Sequence, residues 1–152
     1  MTDGPELRTN VSKRVLVPFD GSEPAEAALE LAVDLHDGAE IVMLYVLDPM
    51  IDYSRRRAFP GYTMADEYKN ERERAEALLE KAEQKWAEKH DRLETDFAAG
   101  SPAREIVRYV EENDVDHVVM GSHGRKRAAR ILLGSVAETV TRRSPVPVTI
   151  VR

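Results

Sequence analysis

A chain of 152 residues has the size of one ordinary domain, and with 42% hydrophobic and 33% charged residues it can bury a core. The formal net charge of -6 argues against a general polyanion binder, because nucleic-acid affinity rests on neutralising phosphates with Lys and Arg; a local basic pocket for one nucleotide stays compatible with it. The absence of cysteine excludes disulfides, thiolate zinc sites and cysteine nucleophiles.

Residues 1–12 are polar, lack the apolar core of a signal peptide and read as a flexible tail on a single domain spanning 13–152. No apolar run approaches the ~18 residues of a membrane helix, so the expected compartment is the cytoplasm. The first apolar run is Val15-Leu16-Val17-Pro18-Phe19, a strand ended by Asp20-Gly21-Ser22. Ser22 as N-cap, Pro24 in the first turn and Gly38 at the far end bracket a helix. Ile41 to Leu47 is nearly all apolar, as a strand reads when helices cover both sheet faces. The stretch 48–63 is irregular, with Pro49, Pro60, Gly61 and the triplet Arg55-Arg56-Arg57.

A long charged helix is expected over roughly 64–90, with the stripe Ala75, Leu78, Leu79, Ala82 and Trp86. That stripe is too short for a coiled coil and fits a solvated outer helix. Leu93 to Ala99 alternates, with Leu93, Thr95, Phe97 and Ala99 on one face, which predicts an edge strand. Gly100-Ser101-Pro102 opens a helix carrying Ala103, Ile106, Val107 and Val110. The fourth run, Val115 to Met120, leads into the loop Gly121-Ser122-His123-Gly124. A last helix carries Leu133, Val136, Ala137 and Val140, and Val146 to Val151 closes the chain. Such alternation predicts an α/β domain: an open parallel sheet of five strands, with right-handed crossovers and helices on both faces.

In an open sheet of this kind ligands bind beyond the carboxyl ends of the strands, where strand order reverses. If the order is 3-2-1-4-5, the crevice lies between Pro18-Phe19-Asp20-Gly21 and Gly121-Ser122-His123-Gly124. Gly121 and Gly124 lack a Cβ, so their backbone can turn sharply and bring N–H groups close to phosphate oxygens. Gly134-Ser135 opens the last helix, whose free N–H groups and positive dipole end favour an anion, with the Ser135 hydroxyl as a further donor. Asp20 can accept from a ribose hydroxyl. Each piece alone is ordinary turn or cap chemistry; their joint placement points to a nucleotide.

The segment Gly121 to Ser135 resembles the G-2x-G-9x-G-[S/T] signature of the ATP-binding branch of the universal stress protein (UspA-like) family. VLVPFDGSEPAEAALELA, IVMLYVLD, AAGSPAREIV and VDHVVMGSHGRKRAARILLGSVAETVTRRSPVPVTIV resemble its successive elements. The resemblance implies a Rossmann-like five-stranded fold with strand order 3-2-1-4-5, bound ATP or another adenine nucleotide, and a homodimer paired through the last strand; Mg2+ or Mn2+ is expected to accompany the phosphates. It implies that Asp20 contacts ribose and that the Val46 backbone recognises adenine. It further implies a phosphate cradle of Gly121, Gly124, Gly134 and Ser135 with Ser122 and His123 inside it; Pro18, Met120 and Val136 complete the nucleotide-binding set.

The sequence gives little support for fast catalysis, although His123 has the chemistry of a general acid or base. A Walker lysine is absent, as is any His/carboxylate set with metal-ligand spacing, so a divalent ion would be held through the phosphates near Asp20 rather than by direct protein ligation. The expected function is a nucleotide-dependent regulator of the stress response acting through dimerisation or partner binding. The alternatives are a slow ATPase or autophosphorylating enzyme using Ser122 or Ser135, and a nucleotide-free interaction module. The basic group Arg125, Lys126, Arg127 and Arg130 reads either as a solvated segment or as a contact with the outer phosphates; a nucleic-acid role would need it to form one surface with Arg55-Arg56-Arg57, and a nucleic-acid partner is not expected.

Overall fold

A computed structural model describes residues 13–48, 64–124 and 133–152. The tail 1–12, the 49–63 stretch with its arginine triplet, and Arg125, Lys126, Arg127 and Arg130 lie outside the described residues. In chain order the elements are β1 (Arg14–Pro18), α1 (Glu23–Leu35), β2 (Glu40–Leu47), α2 (Met64–Trp86), β3 (Leu93–Ala99), α3 (Pro102–Glu112), β4 (His117–Gly121), α4 (Ser135–Arg143) and β5 (Val148–Val151). The strands form one sheet, ordered β3-β2-β1-β4-β5, in which every neighbouring pair is parallel.

Period-two alternation sorts the strand side chains between two cores. Val15, Val17, Ile41, Met43, Tyr45, Leu47 and Val119 pack with α1 and α2 on one face. Leu16, Val42, Leu44, Val118 and Met120 pack with α3 and α4 on the other. Covered on both sides, β1 and β2 need apolar residues at odd and even positions alike, which is why they read as continuous runs. Ser22 caps α1 as its sequence predicts, its Oγ accepting from Ala25 N at 3.3 Å. The α2 stripe is buried at Ala75, Leu79, Ala82 and Trp86, with Leu78 partly buried beside it.

Three local expectations change. Helix α2 stops at Trp86, whose carbonyl accepts from both Lys89 N and His90 N, because the chain turns there to bury His90. The His90 Nε2 then sits 2.6 Å from Ala39 O, tying the end of α2 to the start of β2. Leu133 precedes α4 rather than belonging to it, and packs into the second core from there. In β3 only Leu93 and Phe97 of the alternating set pack against the α2 side; Thr95 and Ala99 are exposed, since an edge strand is covered only where the helix reaches it.

Charges gather at the amino ends of the strands. Arg14 donates through Nε to Glu40 Oε2 at 3.0 Å and through Nη1 to Asn113 O at 3.2 Å, while Arg92 Nη2 reaches Glu40 Oε1 at 2.8 Å. The Arg14 hydrogen bond holds the Glu40 carboxyl below its ordinary range. Nearby, the His36 and His117 rings lie 5.1 Å apart, and His117 Nε2 is 2.7 Å from Thr149 Oγ1 of β5. Burial pushes both imidazoles below their ordinary value of 6.5; for His36 the neighbouring His117 adds to the effect, and Lys13 adds to it for both. With folded values depressed, the unfolded chain takes up protons first, so this contribution to stability is complete above about pH 6.5 and is lost as pH falls through that value toward the folded ones. Urea unfolding at pH 7.5 and pH 5.5 is therefore expected to show a smaller acid-induced fall of the midpoint in the His36→Gln/His117→Gln double variant than in the unaltered chain.

Candidate functional site

Strand order reverses between β1 and β4, whose crossovers leave toward opposite edges of the sheet. The pairing Leu16↔Val118 sets Pro18 and Met120 two residues further along the same two strands, with Leu44 of β2 paired to Pro18 and Ile150 of β5 paired to Met120. Val46 lies two residues beyond Leu44 and is paired with Ala98. Val46 and Met120 both pack in the α3/α4 core, and alternation from Leu16 puts Pro18 on that same face. Three of the residues read from the sequence thus sit on one face at the carboxyl ends of adjacent strands.

Beyond the strands two loops meet. Asp20 Oδ1 accepts from Ser22 N at 3.0 Å, closing the turn that leads into α1. Its other oxygen, Oδ2, lies 2.8 Å from the point a Cβ would occupy on Gly124, so the carboxylate and the second glycine of the loop abut. Ser122 is buried and clamps the loop by its backbone: its N donates to Val151 O at 2.8 Å, and its carbonyl accepts from Gly134 N at 2.6 Å. A Cβ on Gly134 would lie 3.1 Å from Ser122 O and 3.3 Å from His123 Cα. The glycine loop is therefore seated directly on the start of α4.

Gly134 is the extended N-cap of α4 and supplies no side-chain hydrogen bond to it, while its carbonyl accepts from Glu138 N at 2.9 Å. The first-turn N–H groups, at exposed Ser135 and part-buried Val136, have no side-chain cap and carry the positive end of the helix dipole. His123 Nδ1 lies 3.0 Å from Ser122 Oγ, and its Nε2 is buried without a hydrogen-bond partner among the described residues.

The missing Cβ atoms of the motif glycines also make room for neighbouring groups. Among the described glycines, positive φ occurs at Gly21, Gly38 and Gly100, and not at Gly121, Gly124 or Gly134. The motif glycines are needed for space. A Cβ on Gly121 would come within 2.5 Å of Pro24 Cβ and 2.8 Å of Pro24 C, so this glycine lets the first turn of α1 press against the end of β4. Gly21, passed over as plain turn chemistry, has φ +81° and a Cβ position 3.1 Å from Leu78 Cδ2, which lets α2 close over the Asp20 turn. Its signal was the Asp-Gly-Ser sequence itself, which says "turn" but not what packs on it.

The set provides one carboxylate, two hydroxyls, an imidazole and an uncapped helix start, which suits an anion with a hydroxyl-bearing neighbour. Among the described residues no group of three or more His, Cys, Asp or Glu is placed to hold a metal ion.

Residues 12–152 match the universal stress protein family. The chain belongs to that family. It is 35% identical to universal stress protein YxiE of Bacillus subtilis over 91% of this chain and 98% of that protein. It is 32% identical to universal stress protein MJ0577 of Methanocaldococcus jannaschii, covering 92% of this chain and 94% of that one. Universal stress protein UspA from Lactobacillus plantarum superposes with a TM-score of 0.80 at 26% identity, covering 94% of this chain and all of that one (100%). A universal stress protein solved in complex with cAMP superposes with a TM-score of 0.67 at 25% identity, over 94% of this chain and 98% of that one. The expected fold class and strand order of this universal stress protein agree with the observed sheet. None of its described helices is long and apolar enough to cross a membrane.

Proposed function

We propose that this universal stress protein binds an adenine nucleotide, ATP foremost, and works in the cytoplasm as a nucleotide-dependent regulator of the stress response through dimerisation or partner binding. The observation that carries this reading is the contact between the Asp20 carboxylate and Gly124 at the switch point, beside the uncapped start of α4. The cAMP complex of a relative supports the adenine nucleotide as ligand class. Asp20 takes a ribose hydroxyl, the Val46 backbone meets adenine, and Pro18 and Met120 line the approach. Gly121, Ser122, His123, Gly124, Gly134, Ser135 and Val136 surround the phosphates. Mg2+ or Mn2+ rides on the phosphates close to Asp20, since a hard cation keeps oxygen ligands and waters of its own.

Asp20→Asn is the sharp test, because the amide oxygen still accepts from Ser22 N and preserves the turn. A charge-assisted hydrogen bond is lost, so calorimetric titration should show ATP binding about ten-fold weaker or worse. An unchanged affinity would sink the Asp20 role. Failure of the unaltered chain to bind any adenine nucleotide would sink the whole reading. Competition between ATP and cAMP ranks the two ligands.

Dimerisation rests on β5. It closes the sheet with all four residues, Val148 to Val151, only partly buried, and it has a paired neighbour on one side alone. An open edge of apolar residues invites a second copy, and Pro147, lacking an N–H, limits how far such pairing can run. Light scattering at micromolar concentration is expected to give the mass of a dimer; a monomer would overturn the claim.

A further inference from the structure

Far from the glycine loop, at the opposite end of β4, two histidines from distant parts of the sequence converge. His117 is the first residue of β4 and His36 is the C-cap of α1; their ring centroids lie 5.1 Å apart with the planes tilted by 56°. Aromatic pairs prefer offset stacking or a perpendicular edge-to-face contact, and this tilt is neither. The separation is that of two imidazoles sharing one ion. A tetrahedral metal about 2.0 Å from one nitrogen of each ring, with each ring centre about 1.1 Å further back, sets the centroids about 5 Å apart.

The surroundings supply what a ligating pair needs. His117 Nε2 is 2.7 Å from Thr149 Oγ1. When that nitrogen donates its hydrogen to the hydroxyl, the lone pair of the neutral ring sits on Nδ1, the arrangement in which an outer oxygen holds a metal-binding histidine. The His36 backbone is fixed, its N donating to Ala32 O at 3.0 Å and its O accepting from Ala39 N at 3.1 Å. Its half-buried imidazole has no hydrogen bond among the described residues, so a turn about χ2, a broad torsion, can bring a nitrogen toward His117 at little cost. Helix α1 ends here without a basic residue in its last turn, which leaves the negative end of its dipole to a cation. The opposing charge is Lys13, which acts on both rings; it is exposed, and its long chain can turn to solvent.

Imidazole suits zinc, nickel and copper, whereas Mg2+ and Ca2+ take oxygen ligands. We propose that His36 and His117 chelate one divalent ion of the zinc, nickel and copper class, with water in the remaining positions and Thr149 orienting the His117 ring. This site lies apart from the nucleotide and stands whether or not the adenine-nucleotide reading holds.

The test is made on the full chain without nucleotide. Calorimetric titration with ZnCl2 should give one ion bound per chain, and in proton NMR the ring signals of His36 and His117 should shift while those of the other two histidines, His90 and His123, stay in place. NiCl2 should reproduce this and MgCl2 should not. His36→Gln and His117→Gln should each weaken zinc by more than the outer residue does; Thr149→Val, which keeps the side-chain shape, should cost about ten-fold, the low end for such a partner. Zinc should raise the melting midpoint of the unaltered chain and not that of the His36→Gln/His117→Gln double variant. An unaltered chain that binds no zinc, binding that survives in the double variant, or an equal response to MgCl2 would overturn the assignment. Should a histidine variant fail to fold, the ring shifts of the unaltered chain and the affinity of Thr149→Val decide the matter.

Discussion

Gly121→Ala is expected to destabilise the fold by about 3 kcal/mol, the upper part of the range for forcing a methyl group into a packed interior. For a domain of this size that is a fall in the melting midpoint of roughly 10 °C. The reason is where the new carbon would land: 2.5 Å from Pro24 Cβ, 2.8 Å from Pro24 C and 3.0 Å from Pro24 O. Two of those atoms are backbone, in the first turn of α1, and no side-chain rotation relieves the overlap. Helix α1 must lift from β4 at its amino end, although Ala28, Leu29 and Ala32 are buried against the sheet one to two turns later. The strand that would have to yield instead, β4, is central, with Val118 and Val119 fully buried between two cores. Thermal unfolding without nucleotide measures the effect in isolation from binding. A midpoint within 2–3 °C of the unaltered chain (less than about 1 kcal/mol at this size) would show that the contact is looser than described.

Much of this architecture could be read in the sequence, and for identifiable reasons. β1 and β2 announced themselves because two-sided burial leaves no room for polar alternation, as at Val15-Leu16-Val17. Helix α1 was bracketed by a cap whose chemistry is local, Ser22 Oγ to Ala25 N, and local chemistry needs no tertiary information. The misses share the opposite property. The end of α2 depends on His90 finding the carbonyl of Ala39, 51 residues away in sequence, so helical patterning alone ran past it. The face of β3 depends on how far α2 extends over a sheet edge, which composition does not encode. At the site, the meeting of Asp20 with Gly124 followed from topology once β1 and β4 were neighbours. What could not be read was why each glycine is a glycine. Gly121, Gly124 and Gly134 look alike in the motif, yet their missing Cβ atoms make room for, respectively, a helix backbone, a carboxylate and a neighbouring loop.

That difference separates the two glycines of the loop by experiment. Gly124→Val is expected to weaken ATP by at least about a hundred-fold, some 2.7 kcal/mol, while changing stability by no more than about 1 kcal/mol. Among the described residues, the Cβ at this position meets Asp20 Oδ2 at 2.8 Å and Asp20 Cγ at 4.0 Å. Gly124 is exposed and has no positive φ, so a side chain is tolerated by the backbone and by solvent. The obstacle is a carboxylate that can swing aside, and its swing is the damage: Asp20 leaves the orientation proposed for the ribose, and branched methyl groups fill the space proposed for the phosphates. Two losses from one substitution exceed the single hydrogen bond removed by Asp20→Asn, so the affinities should rank unaltered chain, Asp20→Asn, then Gly124→Val. The stabilities should rank differently, with Gly121→Ala far below all three. If Gly124→Val binds ATP as the unaltered chain does, the loop is a structural turn and the cradle assignment falls; if it unfolds as Gly121→Ala is expected to, the loop's contact with Asp20 carries the fold rather than the ligand.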